Sequence, residues 1–351
     1  MGEVQLECWR VFVTPLPGTV RTAGPEVWRS VVEKAVRAPS LYNVQPWRFR
    51  VHRGALELRP DLSRTLPVAD PLHRQLVISC GAALENVRLE LACRDFTPCI
   101  ELFPDASDPL LLARVRTGRF RPPSLLEQSM RAAIARRRST RTAMRADAVP
   151  LSLVERLQHV AACEGVTLER ITDDDRGDVA ALVADATRTQ GNDPAFRGEL
   201  AFWLRPNHRQ PRRDSPFVDG VPTEAMGIPR SLSRACTLAV REIPWGSLMA
   251  ARERHLALAA PALVLLCPTG DGTRDWLAAG MSLQRVLLLA TARGLGAGFF
   301  GQVASIPSVR ARLHDRLGLA AVPQMLLRLG VASDAPPTGR RPIDEVLTGA
   351  R

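Results

Sequence analysis

The chain has 351 residues, of which 46% are hydrophobic and 24% are charged, a balance typical of a globular protein and not of a disordered one. Its formal charge is +11, and arginine carries almost all of the positive charge because Lys34 is the only lysine. The apolar stretch 259–267 belongs to a run that is much shorter than the ~20 apolar residues of a membrane helix. Seven cysteines without a Cys-x-x-Cys pair, and a first segment without an apolar signal core, predict a cytoplasmic protein without a disulfide framework or a metal site.

Hydrophobic periodicity predicts a mixture of helices and strands along the chain. Two segments with the Ser-x-x-Glu pattern, 124–127 and 152–155, resemble capping boxes, so a helix is expected to begin near each. Residues 205–230 contain five prolines and several arginines, which predicts an irregular insertion or lid. In chain order, helices are predicted at 25–38, 72–93, 176–188, 193–204, 274–293 and 308–317, and strands at 47–52, 55–58, 97–103, 262–267 and 324–331.

An internal similarity indicates that the chain consists of two related halves. When the chain is shifted by 199 residues, 81–94 aligns with 280–293 and five residues are identical, beginning with Gly81 on Gly280. The helix after Pro25 likewise matches a helix after Pro150. With the Pro-Pro pair at 122–123 as the boundary, we predict an N-terminal half over 1–120 and a C-terminal half over 121–351.

The first motif with functional content lies at 38–49, where a Pro-Ser break precedes Asn43 and Gln45 at the start of a strand. Amide side chains both donate and accept hydrogen bonds, which suits the polar rim of a flavin or another heteroaromatic ring. The alternative is a plain helix-to-strand turn, with Asn43 in a left-handed conformation and Trp47 in the core.

The second motif is a group of four arginines, a serine and a threonine at 136–141, at the end of a capped helix. Guanidinium groups match phosphate oxygens bidentately, so this segment is a candidate phosphate site. Interaction of the arginines with the carboxyl end of the helix is the alternative.

Two further segments are candidate ligand-binding motifs. Glycines in 294–302 would let the backbone approach a flat ligand closely, although ordinary helix capping by Gly294 is an alternative. The 339–342 segment, Gly-Arg-Arg-Pro, is a second basic patch for the same phosphate or else a solvated tail. The six histidines lack metal-ligand spacing, and no Gly-x-Ser-x-Gly or Walker loop occurs, so hydrolases and metalloenzymes have little support.

In this order and spacing, the motifs resemble those of the nitroreductase superfamily of FMN-dependent oxidoreductases. Pro39-Ser40-x-x-Asn43-x-Gln45-Pro46-Trp47 is similar to its Pro-Ser-x-x-Asn-x-Gln-Pro-Trp motif, and 137–141 resembles its basic FMN motif. The 275–296 segment is similar to its long helix and flavin-facing loop, and Arg340 to its phosphate-binding arginine. The closest resemblance is to the Acg-type branch, whose single chains mimic a nitroreductase dimer.

The resemblance implies an α+β fold with α-β-α layers, built from two fused halves. It implies FMN as the cofactor, with hydride passing through flavin N5 between a reductant such as NAD(P)H and a small organic substrate. That substrate is either a nitroaromatic or quinone-like acceptor or a biosynthetic intermediate that is oxidised, and no catalytic side chain is predicted. The cofactor-binding residues that it implies are Arg137, Arg138, Ser139, Arg141, Pro39, Ser40, Leu41, Asn43, Gln45, Gly298, Phe299, Phe300, Gly301, Gln302, Arg340 and Arg341.

The two halves have complementary motifs. In nitroreductase dimers one subunit supplies the basic motif and the other supplies the Pro-Ser-x-x-Asn loop. Here the first half has only the loop, and the second half has only the basic motif. We therefore expect one FMN per chain, in a monomer that suffices to build the site whether or not it oligomerises further.

The sequence departs from the family at two places. Phe299, Phe300, Gly301 and Gln302 occupy the stretch where the family has an acidic residue, and Tyr42 stands where the Acg-type branch often has His. The substrate and the direction of the reaction therefore stay open.

Two other functions also stay open. Some Acg-type proteins bind flavin under a lid, so the 205–230 insertion is compatible with FMN binding or sequestering without turnover. The excess of arginine is compatible with nucleic-acid binding. Because the arginines are scattered and not grouped with aromatic residues, neither a nucleic acid nor a membrane is expected as a partner.

Overall fold

The computed structural model describes residues 23–205, 219–226, 228–333, 335 and 337–349. Most of the predicted insertion, residues 206–218 and Gly227, lies outside them. The helices are α1 Pro25–Ala35, α2 Arg74–Ala92, α3 Leu125–Ala133, α4 Leu151–Ala162, α5 Asp173–Asn192, α6 Pro194–Trp203, α7 Ser233–Glu242, α8 Gly246–Leu258, α9 Thr273–Ala292, α10 Gly301–Ser305, α11 Pro307–Arg316 and α12 Ile343–Val346. The strands are β1 Trp47–His52, β2 Ala55–Pro60, β3 Phe96–Leu102, β4 Ala113–Phe120, β5 Val166–Arg170, β6 Leu204–Arg205, β7 Val221–Pro222, β8 Ala262–Pro268, β9 Gly296–Phe299, β10 Met325–Gly330 and β11 Leu347–Thr348.

Two sheets organise the described part of the chain, and their strands follow the same order. The first sheet runs β11-β1-β2-β4-β3 and the second runs β5-β8-β10-β9. Neighbours within β1-β2-β4-β3 are antiparallel, as are neighbours within the second sheet. Along the chain, the first sheet and its helix follow the order β1, β2, α2, β3, β4, and the second follow the order β5, β8, α9, β9, β10. The two sheets are therefore topologically equivalent.

Helices α1, α2 and α9 cover one face of the first sheet, and α2, α4 and α9 cover one face of the second. The other face of the second sheet packs against α5, α8, α10 and α11, which makes three α-β-α layers there. On β1, by contrast, Trp47 and Phe49 are buried while Arg48 and Arg50 are about half exposed. This alternation indicates that the outer face of the first sheet is open to solvent at β1. The fold is α+β.

Helices α2 and α9 pack against each other between the two sheets. They cross where Gly81 meets Gly280, at the pair aligned by the shift of 199 residues. A Cβ atom on Gly81 would collide with the carbonyl oxygen of Leu277, and one on Gly280 would collide with that of Ile78. Only glycine leaves room for this approach. The residue numbers of Ile78 and Leu277 also differ by 199. The shift of 199 residues therefore converts the Gly81–Leu277 contact into the Gly280–Ile78 contact.

The polar contacts between the same helices obey the same relation. Gln284 Nε2 donates to Asn86 Oδ1 at 2.7 Å, and Arg285 Nε donates to Glu85 Oε1 at 3.1 Å. The shift of 199 residues makes Glu85 equivalent to Gln284 and Asn86 equivalent to Arg285. It therefore converts the Gln284–Asn86 hydrogen bond into the Arg285–Glu85 hydrogen bond. The helix pair therefore has an approximate two-fold axis in its contacts as well as in its sequence.

The carboxyl-terminal segment crosses back to the first sheet. Strand β11 pairs in parallel with β1, with Leu347 opposite Phe49. Buried Val346 and Leu347 belong to the same hydrophobic core as Trp47. The sheet that lies mostly in 1–120 thus includes a strand from the end of the chain, which a boundary at 121 does not anticipate.

Most predicted helices and strands are confirmed, with ends that differ by a few residues. The capping box at Ser124 is confirmed: its Oγ accepts from the Glu127 N–H, and the Glu127 carboxylate accepts from the Ser124 N–H at 2.8 Å. The box at Ser152 is wrong, because α4 already begins at Leu151 after Pro150, and Ser152 lies within its first turn. Helices α7 and α8 and strand β4 are absent from the predicted elements. Among the described residues, no helix is both long and apolar enough to cross a membrane.

Candidate functional site

One pocket joins three of the four motifs, although they are far apart in the sequence. It lies between the loop after α1, the basic segment after α3 and the segment before α12. Its walls are formed by Arg37, Pro39, Ser40, Asn43, Ile134, Arg137, Arg138, Ser139, Arg141, Pro337, Thr338 and Arg340. Five of these residues are arginines and none is acidic, so the pocket is suited to an anion.

The basic segment runs beside β9 and is held there by the backbone. Ser139 forms a parallel bridge with Ala297, and the Thr140 N–H donates to the Ala297 carbonyl at 2.7 Å. Two guanidinium groups then bind consecutive carbonyls, Arg328 that of Thr140 at 3.1 Å and Arg252 that of Arg141 at 2.8 Å. These contacts fix the backbone from which the pocket arginines extend.

Two arginines of the pocket have buried guanidinium nitrogens without a hydrogen-bond partner. Arg137 is 5% exposed, and its Nε and Nη1 atoms have no hydrogen-bond partner. The Nε atom of Arg340 is also buried without a partner. Burial, reinforced by Arg138 and Arg141, lowers the pKa of Arg137 to about 10. Burial, reinforced by neighbouring arginines, lowers the pKa of Arg340 to about 9.

Burial lowers the pKa of Arg141 as well. A lowered arginine pKa means that the folded chain disfavours the positive charge of the guanidinium group. An anion in contact with that group would favour the charge and raise the pKa again. Unpaired buried N–H groups and unbalanced positive charge together define a site that lacks an anionic partner.

The loop from α1 to β1 has an unusual backbone. Tyr42, Asn43 and Gln45 have φ angles of 49°, 56° and 53°, and side chains in this left-handed region cost roughly 1–3 kcal/mol each. Such strain persists where the surroundings enforce it, most often at functional sites. The left-handed Asn43 and the fully buried Trp47 agree with the turn interpretation of this motif, yet Asn43 also lines the pocket.

Asn43 connects three segments through its amide group. Its Nδ2 donates to the carbonyls of Gly220 and Gly339, both at 3.2 Å, and its Oδ1 accepts from Arg340 Nη1 at 3.2 Å. The carbonyls of Arg37 and Ala38 also accept from Arg340. Arg340 is therefore held by the loop of the first half while it faces the arginines of the second half.

Gln45 and Arg341, both predicted to bind the cofactor, do not line the pocket in the described structure. Gln45 is fully buried, and its Oε1 accepts from the Arg341 N–H at 2.9 Å. The Arg341 guanidinium turns away from the pocket toward Asp61, with an Nη1–Oδ2 distance of 3.2 Å. The polar groups of these two residues are used within the protein, and their contact with a cofactor stays a prediction.

The glycine-rich segment is also placed differently from the expectation. It forms β9 and α10 instead of an open loop. Phe300 is 1% exposed and packs in the core beneath α5 and α11, so its side chain does not face the pocket. Gln302 Nε2 binds Thr187 Oγ1 at 3.2 Å.

Gly298 meets the expectation of a close approach, since a Cβ there would lie 2.8 Å from the Thr140 carbonyl oxygen. Gly298, Phe299 and Gly301 do not line the described pocket, and their contact with a cofactor stays a prediction. Leu41 packs on a separate apolar cluster with Phe196 and Trp203.

The structure adds lining residues that the motifs do not include. They are Arg37, Ile134, Pro337 and Thr338. Arg37 follows α1 and immediately precedes the 38–49 motif. Its nearness to Pro39 in the sequence is the one feature that could have predicted its place in the pocket. For Pro337 and Thr338, proximity to Arg340 in the sequence is the only comparable indication.

Comparison with known proteins identifies the family of the chain. Residues 221–331 match the model of the family described as Nitroreductase family. A Mycobacterium tuberculosis protein provisionally named NAD(P)H nitroreductase Rv3131 is 35% identical, covering 94% of this chain and 94% of its own. The protein provisionally named NAD(P)H nitroreductase acg from the same organism is 30% identical, covering 94% of this chain and 97% of its own.

Among solved structures, the FMN-dependent nitroreductase NfnB from Mycobacterium smegmatis in complex with NADPH has a TM-score of 0.41 and 19% identity. The match covers 63% of this chain and 97% of that one. The near full-length relatives define the class: the chain belongs to the nitroreductase family of oxidoreductases. Within that family it is of the Acg type, to which it is similar along nearly its whole length.

Proposed function

We propose that the chain binds one FMN in the arginine pocket and acts as an FMN-dependent oxidoreductase. The reductant would be NAD(P)H and the second substrate a small organic molecule, with the direction of the reaction open. The observation that carries the proposal is the pocket itself, in which five arginines from three separate segments of the chain converge without a lining carboxylate.

The residues of the pocket fit the phosphate of FMN. A phosphate monoester has close to two negative charges at neutral pH and oxygens that accept bidentate hydrogen bonds from guanidinium groups. The unpartnered Nε and Nη1 of Arg137 and Nε of Arg340 are donors of the required kind. Arg138, Ser139 and Arg141 would complete the phosphate and ribityl contacts.

The chain's own groups would then hold and orient the cofactor. Pro39, Ser40 and Asn43 line the pocket from the first half, and the backbone at Gly298 lies beside the basic segment. When bound, FMN supplies the redox chemistry by accepting and donating hydride at N5, so no side-chain acid or base needs to be assigned. The protein contributes binding, charge and exclusion of competing reactions.

We further propose that the chain is a fused pseudo-dimer of two nitroreductase-like halves. Support comes from the matching strand orders of the two sheets. It also comes from the contacts of α2 and α9, which the shift of 199 residues exchanges. The pocket draws its loop from one half and its basic segment from the other, as a site between subunits would.

Titration with FMN should saturate at one FMN per chain, because each half lacks the motif that the other half supplies. The measurement is equilibrium dialysis with flavin absorbance, at a known concentration of chain. Two equivalent sites per chain would contradict the pseudo-dimer proposal.

The purified chain, once supplied with FMN, tests the oxidoreductase proposal directly. Anaerobic addition of NADPH or NADH should bleach the flavin absorbance, and a nitroaromatic or quinone should restore it. A chain that binds FMN but whose spectrum neither nucleotide changes would refute turnover with NAD(P)H.

A second candidate is FMN binding or sequestering without turnover. The described end of the insertion favours it, because Asn43 donates to Gly220 beside the pocket and Asp219 pairs with Arg64 and with Arg205 at 2.9 Å. This candidate predicts bound FMN that responds to neither nicotinamide nor a nitroaromatic. The same anaerobic experiment therefore separates the two functions.

Nucleic-acid binding is the least supported alternative. Arginines on the open face of the first sheet pair with nearby carboxylates. Arg48 pairs with Asp61 at 3.0 Å, and Arg50 pairs with Glu57 at 3.4 Å. A colourless chain that refuses FMN and shifts DNA at physiological salt would favour this alternative over ours. A cytoplasmic location, which we also propose, agrees with the lack of a disulfide among the six described cysteines.

A further inference from the structure

Two adjacent arginines near the end of the chain face in opposite directions. Arg340 faces the pocket, where no carboxylate lines the wall. Arg341 is 7% exposed and reaches Asp61 and Glu345, with ion-pair distances of 3.2 and 3.4 Å. The charge of Arg341 is thus compensated inside the protein, which leaves it no role as a phosphate ligand.

Arg341 binds the strained loop at Gln45 from two sides. Its N–H donates to Gln45 Oε1 at 2.9 Å, and its Nη1 donates to the Gln45 carbonyl at 3.3 Å. Gln45 is completely buried and left-handed. One arginine therefore holds both the side chain and the backbone of a residue whose conformation is unfavourable in isolation.

Asp61 anchors this arrangement to the first sheet. It is 2% exposed, and its backbone N–H donates to the carbonyl of Pro46 at 2.9 Å. Its carboxylate pairs with Arg341 and, at 3.0 Å, with Arg48. The residue after β2 thus fixes the end of the loop directly and through the guanidinium of Arg341.

We propose that Asp61, Arg341 and Gln45 form a clamp that positions the 39–46 loop against the pocket and so determines how tightly the flavin is held. The proposal rests on the proposed binding of FMN. These three are positioning residues, since none lines the pocket and each acts through the loop that bears Pro39, Ser40 and Asn43.

The clamp has an effect distinct from that of the phosphate arginines. Arg340 is bound to the carbonyls of Arg37 and Ala38, which precede the strained residues, and those contacts do not depend on the clamp. Loosening the clamp should displace Asn43 while Arg340 keeps its contacts with these two carbonyls. FMN and riboflavin, which share the ring and ribityl chain, should then lose affinity by the same factor.

The test compares the binding of FMN and riboflavin to Asp61→Asn at a temperature well below the melting point of each variant. We expect both dissociation constants to rise about tenfold, the loss of one charge-assisted hydrogen bond. Asp108→Asn is the matched control, because Asp108, in the connection between β3 and β4, pairs with Arg59 of β2 at 2.5 Å and neither residue lines the pocket. It should change neither constant.

Arg341→Lys provides a second variant if Asp61→Asn does not fold. Lysine keeps the charge but lacks the planar fork that reaches Gln45 and Asp61 together, so the same equal loss is expected. A lower melting temperature with unchanged dissociation constants would overturn the clamp, as would a loss confined to FMN. If wild-type chain binds neither flavin, the proposed function itself fails, a result distinct from either outcome.

Discussion

Arg340→Ala is expected to weaken FMN binding about ten- to a hundredfold while riboflavin binding changes little, because each charge-assisted hydrogen bond to phosphate contributes about 1.5–3 kcal/mol. Arg137→Ala should have a similar effect. Both side chains have buried, unpartnered guanidinium nitrogens, and in both burial lowers the pKa. An anion in the pocket would offset the cost of holding these charges.

The measurement is flavin titration followed by fluorescence quenching, with FMN and riboflavin compared on each variant. Arg136→Ala is the matched control, since Arg136 adjoins Arg137 but is exposed and does not line the pocket. Its FMN affinity should stay within about twofold of the wild type, as is usual for an exposed charge. Equal losses of FMN and riboflavin in Arg340→Ala would show that this arginine does not hold phosphate.

Gly280→Ala is expected to destabilise the fold by about 3 kcal/mol or more, because overpacking at a closely packed crossing cannot relax without moving backbone. The added Cβ would collide with the carbonyl oxygen of Ile78 and lie 2.9 Å from the Cα of Gly81. Gly81→Ala should cost a similar amount through its collision with Leu277. Chemical unfolding followed by circular dichroism measures the loss.

Gly177→Ala is the matched control for this pair. Gly177 lies inside α5, and a Cβ there would meet nothing within 4 Å. Alanine has the higher helix propensity, so this variant should gain about 0.5–1 kcal/mol. If Gly280→Ala proved as stable as the wild type, the close crossing of α2 and α9 would be wrong.

Much of the fold could be predicted from local pattern. The helical period of α2 and the alternation in β1 need only neighbouring residues, and the Ser124 capping box is complete within four positions. Helix α7 was missed because its segment directly follows the proline-rich insertion and no side chain caps its start. The false capping box at Ser152 shows the limit of such patterns, since Pro150 set the helix start.

Some features of the site could likewise be predicted from the sequence, and others could not. The resemblance carried by the Pro-Ser-x-x-Asn motif and the basic segment implied that both belong to one site, and both line the pocket. No local pattern distinguishes Arg340 from Arg341, because they are adjacent and chemically identical. Their different directions depend on Asp61 and Gln45, which are nearly 300 residues away in sequence.

By itself, the sequence determined the class of fold, the family and four of the five arginines that line the pocket, because the motifs that carry the family resemblance depend on residue type and short-range spacing. Only the tertiary structure decided which polar groups face the pocket and which are used within the protein. Phe300 is buried beneath α5, Arg341 pairs with Asp61, and Arg37 lines the wall. A side chain's direction follows from packing and charge compensation between distant segments, and those contacts exist only once the chain has folded.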